Sequence, residues 1–463
     1  MNLLRVGLLS LSLYVTRAWS QSPQEALSYV SAALSEAQFT TLKHPAFPKH
    51  GVRIKKTKFC DGTVDSYTGY IDVGARHLFF YFFESRSDPD KDDVILWTNG
   101  GPGGSSALGL FMEQGESLPG RRMPTRRNTT PNLGTPKPTC FSFDQPVGVG
   151  WSYADFGEHV GTTEEGAKDI AAFVAVFFEH FHKFKGRAFH LSGESYGGRY
   201  IPVYAAAVYD QNKELLKKGL TPINLNSVMI GNGYTDFYTM MLSYYDMVCT
   251  PATVPPVLDI QTCIRMKQVL PRCEKWVKQA CIDIFDEFSC QAATSFCSEE
   301  LEEPLILSGL NPYDITVECE GEIEDTICYP ITKAIVQYLS RHDIRKLIGA
   351  EHDMKSNFSA TYHYISNLLD RGVRVLIYVG VNDFGCNHVG NEKWTSALEW
   401  SGQDGYRAQL LREWSVNGKK AGKVRSYGGL SFVTVDGAGH MVPYDKPAES
   451  LELVNRWMAG EDI

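Results

Sequence analysis

Apolar positions along this chain come in short runs that stop at glycine-rich turns, and the runs alternate between strand and helix spacing. Ser66 to Val73 and His77 to Glu84 are apolar and aromatic and meet at Gly74-Ala75, which predicts an antiparallel hairpin. Val94 to Thr98 is a wholly apolar run ending at Asn99-Gly-Gly-Pro-Gly-Gly-Ser-Ser106, and Cys140 to Tyr153 repeats that strand-then-glycine form. Glu164 to Lys183 sets Ile170, Phe173, Val174, Phe177, Phe178 and Phe181 on one helical face, with Thr162 or Thr163 as its cap. A strand at Ala188 to Leu191, a helix from Ile201 and a strand at Asn226 to Ile230 follow, the rhythm of a parallel sheet built from βαβ units. The rhythm lapses over 236–350. It returns with a helix at Thr361 to Asp370, strands at Val373 to Val379 and Leu430 to Val435, and helices at Ala408 to Glu413 and Pro447 to Met458. An amphipathic helix is also expected at Glu25 to Gln38.

The first twenty residues have a different character. Arg5, the apolar stretch Val6 to Val15 and the small-x-small triplet Ala18-Trp19-Ser20 read as a secretory signal cleaved near Gln21. No other stretch approaches the roughly 18 apolar residues of a membrane span, and the C-terminus has no tail for a lipid anchor. The expectation is an exported, secreted protein without a stable membrane anchor, a vacuole or lysosome being the alternative destination. The segments are then 1–20 as signal, 21–235 and 351–463 as an α/β core, and 236–350 as an insertion over it. A net charge of −9 without a long basic run argues against nucleic acid as a partner.

Eleven cysteines suit an oxidising compartment. Seven crowd between Cys263 and Cys328, where the absence of any C-x-x-C pair or histidine favours disulfides over zinc. The odd count leaves at least one thiol, for which Cys386 is the candidate. Asn128 and Asn357 open glycosylation sequons. Between Lys278 and Lys333 stand thirteen carboxylates and no lysine or arginine. That is either a solvated acidic face or a set of charges turned toward a cleft, where they would draw in Lys or Arg side chains.

The candidate chemistry centres on Gly193-Glu-Ser195-Tyr-Gly197, a G-x-S-x-G elbow set between a strand and a helix. Thirty-three serines and 41 glycines in 463 residues make this match expected by chance in about one such chain in four. Its company is what selects it. The glycine loop after Val94 to Thr98 could cradle a phosphate or an oxyanion; it lacks the Gly-Lys-Ser/Thr ending of a phosphate loop, so an oxyanion hole is preferred. A serine needs a base, and the base an acid to hold its tautomer. In the order Ser, Asp, His that an α/β-hydrolase uses, Asp383 follows the strand ending at Val379 and His440 the strand ending at Val435. Asp436 and Asp445 are too near His440 in sequence to be favoured as that acid.

Five blocks carry a resemblance: Trp97-Thr-Asn-Gly-Gly-Pro-Gly-Gly-Ser-Ser106, Asp144-Gln-Pro-Val-Gly-Val-Gly-Trp-Ser-Tyr153, Gly193-Glu-Ser-Tyr-Gly-Gly-Arg-Tyr-Ile-Pro202, Asn382-Asp-Phe-Gly-Cys-Asn387 and Gly437-Ala-Gly-His-Met-Val-Pro443. The chain resembles the serine carboxypeptidases of the carboxypeptidase Y type, with the blocks in that family's order from about residue 60 to 458. The resemblance implies an α/β-hydrolase fold with a disulfide-rich cap, and release of single C-terminal residues from peptides and proteins through an acyl-enzyme. It implies no cofactor and no metal. Carried over, Ser195 is the nucleophile, His440 the base and Asp383 its partner, with the N–H groups of Gly101 and Tyr196 as oxyanion hole. Asn99, Glu113 and Glu194 match the site for the substrate's terminal carboxylate, supported by Trp97. Cys386 and Met441 match the wall of the pocket for the departing residue. Two adjacent carboxyls keep one proton between them, so acidic pH should favour peptidase action. Gly104 stands where many members have cysteine, and Gly197 and Arg199 replace the commoner Ala and His. An esterase or acyltransferase with the same triad, and an inactive binding protein on the same fold, are the rival readings.

Overall fold

Runs that are apolar throughout, rather than alternating, require a strand covered on both faces, and that requirement shapes the architecture. The structure, a computed structural model, describes residues 34–60, 62–114, 138–155, 160, 162–321, 323–350 and 364–463. The signal segment, both sequons and the expected helical residues 25–33 and 361–363 lie outside the described residues.

Four antiparallel strands come first: β1 (Thr40–Lys43), β2 (His50–Thr57), β3 (Ser66–Val73) and β4 (Arg76–Phe83). They lead into β5 (Val94–Thr98), helix α1 (Ala107–Met112), β6 (Thr139–Phe143), the short β7 (Tyr153–Ala154), α2 (Thr163–His180), β8 (Phe189–Glu194), α3 (Gly197–Lys217) and β9 (Leu225–Gly231). The insertion holds α4 (Phe237–Cys249), α5 (Ile260–Val277), α6 (Glu287–Leu301) and a hairpin of β10 (Leu310–Asn311) with β11 (Asp314–Glu318), besides shorter helices. The chain closes with α7 (Tyr364–Asp370), β12 (Arg374–Gly380), α8 (His388–Ala397), β13 (Arg412–Val416), β14 (Lys419–Tyr427), β15 (Leu430–Val435) and α9 (Pro447–Ala459).

One mixed sheet runs in the order β1-β2-β3-β4-β6-β5-β8-β9-β12-β15-β14-β13. Its six central strands, β6 to β15, are parallel, and antiparallel strands flank them on either side. Along β12, Val375, Ile377 and Val379 face α2, α3 and α7, while Leu376 and Tyr378 face Trp457 of α9. Both faces are covered, which makes this the α/β-hydrolase arrangement. The α2 side is packed with phenylalanine: Phe141 stacks on Phe82 at 4.3 Å between ring centroids and meets Phe177 edge-on at 4.5 Å. The expected cap of α2 is Thr162, whose side chain accepts the Glu165 N–H.

Four disulfides join Cys249–Cys263, Cys273–Cys297, Cys281–Cys290 and Cys319–Cys328. The odd seven of the crowded stretch is completed by Cys249 at the end of α4, so α4, α5 and α6 are cross-linked in series. No helix among the described residues is long and apolar enough to cross a membrane.

Two expected helices differ. Residues 34–38 form a bend rather than the end of a helix. Ala408 to Glu413 is not helical either: a short helix occupies Gln403–Arg407, and β13 begins at Arg412. The decisive period there is two, since Trp414 and Val416 turn inward while Arg412, Glu413 and Ser415 are exposed. Strands β1, β2 and β14 carry mixed, lysine-containing sequences whose alternation is too weak to read without a partner strand.

Phe141→Ala should lower stability by about 3–5 kcal/mol, the usual cost of removing a fully buried phenyl ring; a urea-unfolding midpoint unchanged from that of the unsubstituted protein would contradict this packing.

Candidate active site

The central strands end on one edge of the sheet, and the loops beyond them carry the chemistry. At the end of β8 the chain must reverse into α3 within two residues, and Ser195 adopts φ 61° to do so. A non-glycine residue there is strained, at a cost of about 1–3 kcal/mol, and needs outside support. Support comes from β9: Ser195 N–H donates to Gly231 O at 3.0 Å, and Ser195 O accepts the Tyr234 N–H at 2.7 Å. Gly193 is required because a Cβ would lie 2.9 Å from Thr98 O and 2.7 Å from Ile201. Gly100 presses still closer: a Cβ there would come within 2.2 Å of the Tyr196 nitrogen. The glycine loop after β5 is thus held against the peptide that follows Ser195, which brings Gly101 and Tyr196 to one place.

Asp383, beyond β12, and His440, beyond β15, are both buried, and Asp383 Oδ2 lies 2.7 Å from His440 Nδ1. Asp445 instead accepts the Gly439 N–H at 2.7 Å, and Asp436 faces Lys420 at 3.6 Å. Cys386 is a free, buried thiol hydrogen-bonded to Ser195. Burial pushes that thiol well above its usual range, with Asp383 adding to the effect and the Ser195 hydrogen bond opposing it. The ligand atoms of Asp383, Cys386 and His440 lie within 4.8 Å of one another, a spacing a soft cation could bridge. Those atoms are already engaged with each other and with Ser195, so the donor set fits proton transfer better.

A second cluster forms beside the first. Trp97 Nε1–H can only donate, and it donates to Asn99 Oδ1 at 2.8 Å, as does the Gly109 N–H at 3.1 Å. These fix the amide so that Asn99 Nδ2 donates to Glu113 Oε1 at 3.1 Å. Glu113 and Glu194 are hydrogen-bonded to each other, so one of them holds a proton. Burial raises both; Glu194 rises further because the Glu113 charge adds to it, while Glu113 is drawn down by the hydrogen bonds from Glu194 and Asn99. The proton belongs to the pair as a unit. Apart from the proton they share, the Oε2 atoms of both are buried without a hydrogen-bond donor among the described residues. Glu194 Oε1 is 4.0 Å from His440 Nε2, which makes the two clusters neighbours.

Comparison with known proteins gives this arrangement its family. The serine carboxypeptidase family profile matches residues 60–460. The chain belongs to the serine carboxypeptidase family. It is 39% identical over 433 residues to carboxypeptidase Y of Candida albicans, covering 89% of this chain and 77% of that one. It is 38% identical over 434 residues to carboxypeptidase Y of Komagataella phaffii, covering 89% and 80%. A crystal structure of a prohormone-processing carboxypeptidase from Saccharomyces cerevisiae shares the fold, with a TM-score of 0.70 at 24% identity over 86% of this chain and 92% of that one. The protein is a serine-type carboxypeptidase that acts on peptides, and its disulfides make it a protein of the secretory pathway.

Several residues of this carboxypeptidase that sequence reading passed over brace the site. Asn232, at φ 40° just after β9, donates from Nδ2 to Asp383 Oδ2 at 2.7 Å and accepts the Gly380 N–H at 3.0 Å. Its place between two glycines was the one available signal. Asp144 is buried behind the glycine loop, accepting from Ser105 Oγ at 2.6 Å, Ser106 N–H at 3.1 Å and Trp151 N–H at 3.0 Å. Burial lifts its carboxyl to about 6 against the pull of those hydrogen bonds. Tyr313, in the β10–β11 turn of the insertion, accepts the His440 N–H at 2.8 Å and sets its ring 5.1 Å from the imidazole.

Asn232→Gly removes the amide without backbone strain, since glycine tolerates positive φ. Losing a hydrogen bond to a charged group costs about 1.5–3 kcal/mol, so kcat should fall about tenfold or more with little change in KM. An unaltered kcat would show that Asp383 does not need this support.

Proposed function

We propose that Ser195, His440 and Asp383 form the catalytic triad of an exopeptidase that releases one C-terminal residue at a time through an acyl-enzyme. The observation that carries this reading is the buried, proton-sharing Glu113–Glu194 pair, with Glu194 Oε1 4.0 Å from His440 Nε2. Ser195 Oγ attacks the last peptide carbonyl while His440 takes its proton, and Asp383 holds the imidazole tautomer through Nδ1. The N–H groups of Gly101 and Tyr196 stabilise the oxyanion, each such donor being worth about 10²–10³ in kcat. His440 then protonates the departing amine, and water repeats the sequence on the acyl-enzyme.

Selection of a chain end follows from charge. With one proton between Glu113 and Glu194, the pair and the Asn99 amide can donate to the substrate's terminal carboxylate. Without it, two anions repel that group. Trp97 fixes the Asn99 amide, and Cys386 and Met441, on either side of Asp383 and His440, line the space for the departing residue. Residues 236–350 act as a cap on a core made of 21–235 and 351–463. Secretion from the cell is the destination proposed, with glycans on Asn128 and Asn357.

The sign of the pH effect follows from the raised carboxyls. As pH rises, the shared proton leaves, KM for free-acid peptides climbs, and substrates without a terminal carboxylate are spared. An N-blocked dipeptide should therefore be cleaved far better than its C-terminal amide near pH 4.5, with the advantage shrinking toward pH 7. Glu194→Gln, a permanently neutral donor, should carry the free-acid preference to higher pH. Ser195→Ala should lose activity by about 10⁴-fold or more. Equal hydrolysis of acid and amide would favour an esterase or acyltransferase, and no hydrolysis by folded protein a binding role.

A further inference from the structure

One buried carboxyl beside the site takes no part in the proposed reaction, yet the glycine loop is built around it. Asp144 follows β6 and is fully buried. Its Oδ1 accepts from Ser105 Oγ at 2.6 Å and from the Ser106 N–H at 3.1 Å, and its Oδ2 accepts the Trp151 N–H at 3.0 Å. The chain wraps it so closely that a Cβ at Gly150, where φ is 55°, would lie 2.0 Å from Oδ2. Burying a charge is costly, but an apolar residue here would leave three donors without an acceptor.

The two serines pass the effect on. Ser106 Oγ donates to Phe143 O and accepts the Asn99 N–H, the latter at 3.1 Å. Ser105 Oγ accepts the Ala107 N–H at 3.2 Å, at the start of α1. That short helix supplies the Gly109 N–H to Asn99 Oδ1 and ends at Glu113. The other end of the loop is held by the next residue, Gln145, whose Nε2 donates to Thr98 Oγ1 at 3.0 Å. No cysteine stands between Trp97 and Gln114, so no disulfide staples this stretch. Gly101 on one side, and Asn99 and Glu113 on the other, thus share one anchor.

We infer that Asp144, as a carboxylate, is a positioning residue that holds the oxyanion loop and the terminal-carboxylate site in one register. The inference rests on the triad and carboxylate site proposed above. Backbone N–H groups can only donate, so Ser106 and Trp151 require an acceptor at each oxygen of the carboxyl. A proton on the carboxyl, or an amide in its place, turns one acceptor position into a donor and loosens the loop. Burial lifts the carboxyl to about 6 against the pull of its hydrogen bonds, so the proton arrives as pH falls through that value. Tyr81, on the adjoining β4, accepts the Trp151 Nε1–H at 3.1 Å, and burial and the Asp144 charge both keep its hydroxyl protonated. Arg345 lies over the Trp151 ring, 5.5 Å from its centroid, and no cation bonds to Asp144 among the described residues. The two acidic sites therefore oppose each other. The Glu113–Glu194 pair favours low pH through KM, and Asp144 favours higher pH through kcat.

The test compares Asp144→Asn with the unsubstituted protein on an N-blocked dipeptide and on an N-blocked amino acid ester, which has no free carboxylate, from about pH 4.5 to about pH 7.5. Active enzyme is counted by titration with a serine-directed fluorophosphonate. At the upper pH the variant should lose about 10- to 100-fold in kcat on both substrates, the scale of a displaced oxyanion donor. Its KM for the dipeptide should rise as well, because Asn99 shifts. The kcat ratio of unsubstituted protein to variant should shrink toward one as pH falls through about 6, where Asp144 itself takes up a proton. Titration of His440 is common to both proteins and cancels in that ratio. Should Asp144→Asn not fold, Ser105→Ala removes one donor to the same carboxyl and should move the acidic fall of kcat to higher pH. Equal kcat in both proteins, a ratio constant with pH, or a Ser105→Ala profile that does not move overturns this inference alone. Failure of the folded, unsubstituted protein to hydrolyse either substrate overturns the proposed site and the inference together.

Discussion

A single strained residue sets the terms for everything around it. Ser195 can hold a positive φ because Gly231 at the end of β9 supplies an acceptor and Tyr234 in the turn beyond it a donor, and because glycine at 193 leaves room for the end of β5. The parallel order β5-β8-β9 is what puts those three strand ends side by side. If β9 moved, the elbow would relax toward an ordinary strand end. The glycine loop would then lose the peptide it leans on. The phenylalanine-filled layer beneath the sheet is thus linked to the chemistry: it keeps the three strand ends fixed relative to one another.

The site gathers several carboxyl groups where water is scarce, and each meets the cost of burial differently. Asp383 is held by the Asn232 amide and by His440. Asp144 accepts three hydrogen bonds around the glycine loop and is still lifted to about 6. Glu113 and Glu194 meet it by sharing a proton. Only the last solution leaves a neutral carboxyl donor, which is what the proposed binding of a substrate's terminal carboxylate requires and what a carboxylate that braces a loop does not offer. In a buried site the number of donors around each acid, more than its residue type, decides its role.

The insertion is bound to the core at the chemistry itself. Tyr313 O accepts from the backbone of His440, and Pro312 O accepts from Phe384 and Gly385. The β10–β11 turn therefore braces the loops of both Asp383 and His440, while the disulfides cross-link α4 to α6. A segment cross-linked to itself and hydrogen-bonded to two loops of the site can alter the pocket by substitution without changing the catalytic groups.

Much of this was legible in the linear chain, for a local reason. Strand and helix periods, the glycines flanking Ser195 and His440, and the order Ser, Asp, His depend on neighbours in sequence, so β3, β5, β8, β12, β15, α2 and α9 could be read within a few residues. The stretch 408–413 misled because its apolar residues fit a helix until Trp414 and Val416 found a partner strand in β14. Asn232, Asp144 and Tyr313 carry no local signal: an asparagine between glycines is unremarkable until distant loops surround it. The sequence by itself determined which elements form and which chemistry they can offer. Only the tertiary structure decided which carboxyls are stripped of water and which of them are paired, because desolvation and hydrogen bonding depend on neighbours in space, and those neighbours come from strands and loops far apart along the chain.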